Sequence, residues 1–274
     1  IPGKLERLAA DGTDLIVASL DYANYFAEIA PEYPETHFIA VEGLPVDEPN
    51  VTNIGFADGE GSFLMGVAAA SVTKTGAVGY IGASQGPLTS DFAGTYSQGV
   101  ASVDPTITVL TDYVSPAIVE FGDTWFWEGF AAPDLAYEAA INLFTRGADV
   151  VYTVAGPSGE GSIRAAADFS EQTGSKVWAI GVDVDEGFLA DQQYAPYVLT
   201  SMLKNYDVAI YEAIRAFTEG TAGPEMLSNL ANEGIGYSDY GALIRTIAPV
   251  MDAAAQAIVD GTIELREWDA MPPA

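Results

Sequence analysis

The chain has 274 residues, of which 49% are hydrophobic, and a single core rarely exceeds about 200 residues, so we expect two lobes. Its 39 acidic and 10 basic residues give a net charge of −29, which repels the phosphates of nucleic acids and the anionic headgroups of lipids. Cysteine is absent and histidine occurs once, which excludes a disulfide framework and a thiolate zinc site. No apolar stretch approaches the roughly 20 residues of a membrane span, and we expect a soluble protein.

Short apolar runs and helical patterns alternate along the chain. Residues 1–12 resemble part of a helix, and later helices are predicted from Pro133 to Gly147 and from Asn205 to Gly220, each ending at glycine. The apolar runs are nearly continuous, which is typical of strands covered on both faces. We predict strands at residues 14–20, 37–43, 50–56, 77–83, 107–114, 149–156, 176–183 and 197–203. This order indicates an α/β fold of parallel sheets flanked by helices.

The strand at 176–183 ends in an acidic loop, "AIGVDVDEG", with Asp183 where the strand passes into the loop. In parallel sheets, ligands bind at the carboxyl ends of strands. A calcium loop does not fit, because Gly187 comes one position too early, and the single histidine, His37, is expected at a strand edge. We therefore predict no metal site and no cofactor. Capping of the following turn is an alternative role for Asp183, and it is favoured more for Asp185 and Glu186.

Asp183 could instead serve catalysis or the recognition of hydroxyl groups. Paired catalytic carboxylates need a set separation, for which the sequence gives no sign, and a Ser–His–Asp triad would have to use His37. A carboxylate at a strand end can accept hydrogen bonds from a vicinal diol without any proton transfer. We predict a binding protein and not an enzyme, with a nucleoside hydrolase or glycosidase as the alternative.

A glycine-rich turn, "AGPSGEGS", follows the strand at 149–156. It does not fit either phosphate-loop pattern, and Glu160 within it would repel a phosphate. Gly156 and Gly159 are expected to let backbone N–H groups approach an uncharged polar ligand. Ser84 and Gln85, which follow the strand at 77–83, are further candidates for hydrogen bonds to the ligand.

Several motifs in succession resemble the basic membrane protein family, which comprises nucleoside-binding lipoproteins of ABC importers with a type I periplasmic binding protein fold. The motifs are "NVTNIGFADGEGSFLMGVAAASVTKTGAVGYIGA", "DFAGTYSQGV", "GADVVYTVAGPSGEGS", "VWAIGVDVDEG" and "VLTSMLKNYDVAIYEAI". The resemblance covers nearly the whole chain. It implies an extracytoplasmic receptor, periplasmic or lipid-anchored, that presents a nucleoside, with a purine favoured, to a membrane permease. We expect a monomer.

The resemblance also implies roles for individual residues. Asp183 matches the acid that holds the ribose hydroxyls, and Lys204 matches a lysine that reaches the sugar. Gly156 and its neighbours match the glycine turn beside the ligand. Asp58 and Glu60 match acidic residues at the first lobe's side of the cleft. Phe130 matches an aromatic residue that covers the base.

Two features depart from the family pattern. The family begins with a strand and a base-binding loop, whereas this chain starts later, and we expect that a preceding segment supplies them. The stretch "VSPAIVEFGDTWFWEGFAAPD" is longer than the usual link and concentrates aromatic residues, including Trp125 and Trp127. Aromatic rings stack on planar bases, so these two residues are candidates for the base site, and a flavin is an alternative ligand.

The predicted architecture has two lobes with the ligand in the cleft between them. Residues 1–74 and about 204–235 are assigned to the first lobe, and residues 76–200 and about 236–274 to the second. Thr75 and Leu203 are expected at the hinges, and the ligand is expected to favour a closed state. A ligand-sensing domain of a transcription regulator has the same fold, but no basic helix-turn-helix occurs in this acidic chain.

Overall fold

The chain forms two compact units. The computed structural model describes residues 2–115 and 124–266, apart from the side chains of residues 124–127. Unit 1 consists of Ile1–Ala57 with Asn205–Gly234, and unit 2 of Asp58–Lys204 with Ile235–Ala274. The first division falls at Ala57, whereas we expected it near Thr75, so the helix that begins at Asp58 is described here with unit 2.

Every strand predicted from the sequence is present, with ends that differ by a few residues. Two short strands, β9 and β10, were not predicted. The strands are β1 (Leu15–Ser19), β2 (His37–Val41), β3 (Val51–Phe56), β4 (Ala77–Gly82), β5 (Thr108–Tyr113), β6 (Val150–Val154), β7 (Trp178–Gly181), β8 (Val198–Lys204), β9 (Glu225–Ser228) and β10 (Ile235–Tyr237).

The helices confirm the predicted caps. Pro133 is the first residue of its helix, and Gly220 ends another with a left-handed φ of 70°, which glycine adopts without strain. The helices are α1 (Pro2–Ala10), α2 (Phe26–Ile29), α3 (Asp58–Val72), α4 (Pro87–Val103), α5 (Pro133–Thr145), α6 (Gly159–Thr173), α7 (Glu186–Leu189), α8 (Tyr206–Glu219) and α9 (Ala242–Val259). Short 3-10 segments include Thr124–Ala131 and Gly156–Ser158.

Unit 1 contains a parallel four-stranded sheet in the order β1-β2-β3-β9. Strand β2 shows why its sequence is continuously apolar. Phe38 and Ala40 face one hydrophobic cluster, with Phe26, while Ile39 and Val41 face a second cluster on the opposite side of the sheet. Since side chains alternate along a strand, a sheet buried on both faces needs apolar residues at every position.

Unit 2 contains a six-stranded sheet in the order β10-β8-β7-β6-β4-β5, in which only the edge strand β10 is antiparallel to its neighbour. One face packs on α5 and α6, where Ile81 and Val151 of the sheet join Leu143 of α5 in a buried cluster. Because β4, β6, β7 and β8 are parallel, their carboxyl ends lie along one edge of the sheet, where ligands bind in folds of this kind.

Helices α3 and α4 of unit 2 pack at very short range. A Cβ atom at Gly66 of α3 would lie 2.1 Å from the Tyr96 carbonyl oxygen, and one at Gly99 of α4 would lie 2.0 Å from the Phe63 carbonyl oxygen. Glycine at both positions lets the two backbones touch. This contact fixes α3, which begins at Asp58, against α4.

Helix α9 buries Ile244 and Met251 and contacts α3 within unit 2. By length and composition alone it is able to cross a membrane, which we did not expect from the sequence. It contains Pro249, and its Asp252 accepts a hydrogen bond from the Tyr237 hydroxyl at 2.7 Å.

Candidate functional site

Asp183 follows strand β7 in a tight turn. The Val184 N–H donates to the Val182 carbonyl at 2.8 Å, and Asp183 at the centre of this three-residue turn has a left-handed φ of 68°. Such turns are rare and strained, and strain of this kind concentrates at functional sites. The turn presents the Asp183 carboxylate at the edge of the sheet, with 35% of its side chain exposed.

Lys204 ends the neighbouring strand β8 and reaches the same point. Its backbone N–H donates to the Asp183 carbonyl at 3.0 Å, and its Nζ lies 3.4 Å from Asp183 Oδ1. Only 7% of the Lys204 side chain is exposed. The lysine therefore fixes both the backbone and the carboxylate of Asp183.

A second carboxylate contacts the same ammonium group. Asp58, in the first turn of α3, places its Oδ1 3.1 Å from Lys204 Nζ. The fully buried Tyr152 of β6 lies near this cluster: burial raises the pKa of its hydroxyl, and the negative charges of Asp183 and Asp58 raise it further. The structure thus brings together three residues that the sequence placed far apart, Asp58, Asp183 and Lys204.

A cavity of about 570 Å³ opens beside Asp183 within unit 2. Its wall includes the predicted glycine turn, through Gly156 and Pro157, and the start of α6, through Glu160 and Ile163. The rest comes from the segment between Val182 and Tyr194. A cavity of 300 to about 1,000 Å³ is the usual size for a small-molecule site.

The glycines of the turn have distinct local roles. Gly156 has a φ of 47°, and a Cβ atom there would lie 3.3 Å from Phe130 Cδ1. Gly159 does not line the cavity directly, but a Cβ atom there would lie 3.1 Å from Glu186 Oε1. Glycine at these two positions makes room for an aromatic ring and a carboxyl group.

Glu186 lines this cavity and has a pKa well above the ordinary value of a glutamate. Burial raises the pKa of its carboxyl group to about 8, and the negative charge of Asp183 adds to the shift. The Val182 N–H donates to the carboxyl group and opposes the shift, while Glu160 supports it. We expected Glu186 only to cap the turn, but the cap is Asp185, whose side chain accepts from the Phe188 N–H at 3.1 Å.

The remaining predicted residues lie in different environments. Phe130 is half-buried and packs against the core of unit 2, while Glu60 is partly exposed in the first turn of α3 and Gln85 is exposed after β4. The side chains of Trp125 and Trp127 lie outside the described part of the structure. The parts that these residues play in ligand binding stay predictions.

Ser84 lies in the sequence Gly82-Ala83-Ser84-Gln85-Gly86, which fits the G-x-S-x-G pattern of serine hydrolases between strand β4 and helix α4. In those enzymes the serine is exposed on a strained turn and contacts a histidine. Here Ser84 is 1% exposed, its φ is not positive, and its hydroxyl has no hydrogen-bond partner among the described residues. The pattern alone therefore does not make Ser84 a nucleophile.

His37, the single histidine of the chain, lies at the start of β2 in unit 1. Its Nε2 is 3.0 Å from Thr52 Oγ1, and its ring stacks on Phe217 with 5.1 Å between centroids. Burial lowers its pKa, so the neutral ring is favoured. Among the described residues, no group of three or more histidine and acidic side chains is arranged to hold a metal ion.

Two functional candidates were missed by sequence reasoning. Glu186 stands in the acidic loop with Asp183, but nothing in the sequence shows that its carboxyl group turns inward to Gly159. Tyr152 belongs to a continuous apolar run, and the fact that its hydroxyl ends near Lys204 depends on the packing of β6 against β7 and α3.

Comparison with known proteins identifies relatives over almost the whole chain. Residues 2–266 match the family model Bmp, described as ABC transporter substrate-binding protein PnrA-like. The chain is 33% identical over 246 residues to the ABC transporter nucleoside-binding protein BmpA of Lactococcus lactis, covering 85% of this chain and 65% of that protein. It is 29% identical over 249 residues to a CD4+ T-cell-stimulating antigen of Listeria monocytogenes, covering 88% of this chain and 66% of the relative.

The fold is also found in solved structures. An ABC transporter solute-binding protein from Conexibacter woesei superposes with a TM-score of 0.75 at 21% identity, covering 97% of this chain and 84% of that one. This likeness confirms the predicted fold class, and the family match confirms the resemblance noted in the sequence. The chain spans about two thirds of the length of the curated relatives, 66% of the Listeria protein. The chain belongs to the PnrA-like family of ABC transporter substrate-binding proteins.

Proposed function

We propose that this protein binds a nucleoside, with a purine nucleoside favoured, through hydrogen bonds from the ribose hydroxyls to Asp183. The observation that carries the proposal is the position of this carboxylate, which lies on the wall of the cavity and is held by Lys204 at 3.4 Å. A carboxylate can accept hydrogen bonds from both hydroxyls of a vicinal diol, each contributing about 1.5 to 3 kcal/mol.

The Lys204 ammonium group adds a donor for the oxygen atoms of the sugar. It also offsets the two carboxylates that it contacts, so that Asp183 keeps its place in the strained turn. The resemblance to the Lactococcus protein, which is named as nucleoside-binding, supports this choice of ligand.

The walls of the cavity favour a planar, uncharged solute. Ile163, Val182 and Leu189 offer apolar surface for a base, while Glu160 and Asp191 contribute negative charge. A phosphate group would meet these acids, so we expect a nucleoside to bind and its monophosphate to be rejected. Phe130, beside the glycine turn, is the aromatic residue that we assign to the base.

We further propose that the protein works outside the cytoplasm, as a monomer that delivers its solute to an ABC permease. No covalent chemistry is involved. Incubation with nucleosides followed by chromatography should therefore release no free base, and turnover would favour the hydrolase alternative.

Mass spectrometry of solute released by denaturing the purified protein tests the function most simply. It should be followed by calorimetry with adenosine, guanosine, inosine, uridine, cytidine and riboflavin. The proposal expects at least one nucleoside to bind, and a purine to bind most tightly. Binding of riboflavin alone, or of none of these solutes, would contradict it.

The variant Asp183→Asn tests the residue itself. Asparagine tolerates the left-handed backbone of this position, so the fold should be kept, whereas the charged acceptor is lost. Affinity for the nucleoside should fall at least about tenfold. Asp185→Asn, in the same loop but away from the cavity wall, is the matched control and should bind as the wild type does.

A further inference from the structure

The acidic loop places a second carboxyl group in the cavity, and its surroundings differ from those of Asp183. Glu186 lies on the wall beside Gly156 and Asp183. Its backbone N–H donates to Ser201 Oγ at 3.1 Å, which fixes the start of α7 against the buried strand β8. The residue is thus anchored at its backbone and directed into the same space as the proposed ligand.

The side chain of Glu186 is closely packed on one side. A Cβ atom at Gly181 would lie 2.9 Å from both Cβ and Cδ of Glu186, and one at Gly159 would lie 3.1 Å from its Oε1. Glycine at position 181 leaves room for the Glu186 side chain, and glycine at position 159 avoids a tight contact with its carboxyl group. The packing limits the directions in which Glu186 can turn, so its open side is the cavity.

We propose that Glu186 contacts the bound nucleoside as a neutral carboxylic acid and donates a hydrogen bond to an acceptor atom of the ligand. This inference rests on the proposed function and adds a determinant of specificity. Asp183, next to Lys204, accepts from hydroxyl groups, whereas a protonated acid can donate as well. The site then has one carboxylate and one carboxylic acid, which serve different parts of the ligand.

The charges around Glu186 favour the protonated form. Burial and the neighbouring Asp183 raise its pKa to about 8, and Glu160 of α6 acts in the same direction. Lys204, the cation beside Asp183, contacts the carboxylates of Asp58 and Asp183. Among the described residues, Asp183 and Glu160 act on the Glu186 carboxyl group directly. The other titratable groups close by are Asp191 and Tyr194 on the cavity wall, Asp185 in the same loop and Lys204 beside Asp183.

The test uses the nucleoside that binds most tightly among adenosine, guanosine, inosine, uridine and cytidine. Its affinity is measured by calorimetry between about pH 7 and 9 for the wild type, Glu186→Gln and Asp185→Asn. With a pKa of about 8, the protonated fraction falls about tenfold over this range, so wild-type affinity should fall about tenfold. Glu186→Gln keeps a donor that does not titrate, and its affinity should stay constant after correction for ionisation of the base itself.

Asp185→Asn should follow the wild type, because Asp185 caps α7 and does not line the cavity. A wild-type affinity that is constant with pH, or a Glu186→Gln affinity that falls in parallel with it, would overturn the role of Glu186 while leaving the proposed function standing. If none of the nucleosides binds, the proposed function and this inference fail together.

Discussion

Asp183 has a backbone conformation that few aspartates adopt. Its φ of 68° places it with Leu20 and Glu42, which likewise have positive φ and follow strands β1 and β2. In each case a non-glycine residue takes the strained position where a strand of a parallel sheet ends. Strain at such positions is a recurrent property of ligand sites, because it fixes the direction of a side chain before the ligand arrives.

Lys204 is expected to stabilise the folded protein, apart from its proposed contact with the ligand. Lys204→Met would leave Asp58 and Asp183 close together without the lysine cation. We expect the free energy of unfolding to fall by up to about 3 kcal/mol. This value is the lower end of the range for broken buried ion pairs, because 35% of the Asp183 side chain is exposed. Urea unfolding measures this loss. Lys74→Met, at an exposed position, should change stability by less than about 0.5 kcal/mol.

The double variant Lys204→Met with Asp183→Asn completes a double-mutant cycle, which measures the coupling between the two residues. Removing one of the two carboxylates should recover part of the stability that Lys204→Met loses. Simple addition of the two single losses would show that the ion pair does not couple these residues.

Glu186 makes stability depend on pH. Its pKa is raised from 4.5 to about 8 in the folded protein, so the stability gained from the protonated acid is complete below about pH 4.5 and is lost as the pH rises through 8. Urea unfolding of the wild type and Glu186→Gln should therefore show the variant gaining relative stability from pH 4.5 to 8 and levelling off above. Parallel pH profiles for the two proteins would show that Glu186 has an ordinary pKa.

At the scale of elements, the sequence predicts most of the architecture. Apolar continuity locates the strands of both parallel sheets, and glycine and proline locate the ends of α5 and α8. Strands β9 and β10 could not be predicted in this way, because they contain only 4 and 3 residues. Their extended form depends on pairing with β3 and β8. Helix α3 could not be predicted from its pattern, because Gly61 to Ala70 are all buried and the amphipathic period of a surface helix is absent.

The positions of some candidate site residues were predictable in the same way, and their roles in binding stay predictions. Asp183 and the glycine turn could be placed at strand ends, since parallel strands bring their carboxyl ends to one edge, whereas Lys204 was named from the family resemblance. The pairing of Asp58 with Lys204 depends on the close contact of α3 with β8, where a Cβ atom at Gly61 would lie 2.6 Å from Met202 Cε. Such packing leaves no periodic signal in the sequence.

Gly66 tests the contact between α3 and α4. An alanine there would place its Cβ 2.1 Å from a backbone oxygen that cannot move independently, so Gly66→Ala should lower the free energy of unfolding by about 1 to 3 kcal/mol or more. Gly3→Ala, in the exposed helix α1 with nothing within 4 Å, is the control. Thermal unfolding should show a loss for the first variant and none for the second, and equal effects would contradict the packing argument.

At the scale of the whole molecule, the charge of −29 is the dominant property. Its 39 acidic residues outnumber its 10 lysine and arginine residues nearly four to one, and lysine occurs only at positions 4, 74, 176 and 204. Self-repulsion of this size destabilises a compact state and is screened by salt. A charge of this sign disfavours nucleotides and agrees with the neutral solute that we propose.

Salt should therefore stabilise the protein. We expect the midpoint of thermal unfolding to rise as sodium chloride increases from about 0.05 to 1 M, over which the screening length falls to about 3 Å. Chloride is preferred to sulfate, because sulfate strengthens hydrophobic burial by itself. A midpoint that is indifferent to molar salt would contradict a destabilising effect of charge repulsion in this chain.

Calorimetry with a ribonucleoside and its 2′,3′-dideoxy analogue tests whether Asp183 accepts hydrogen bonds from the ribose diol. The two ligands share the same base and differ only in the hydroxyls that Asp183 would bind. Loss of two charge-assisted hydrogen bonds, about 3 to 6 kcal/mol, predicts an affinity at least about a hundredfold lower for the analogue. Equal affinity of the wild-type protein for both ligands would contradict the account.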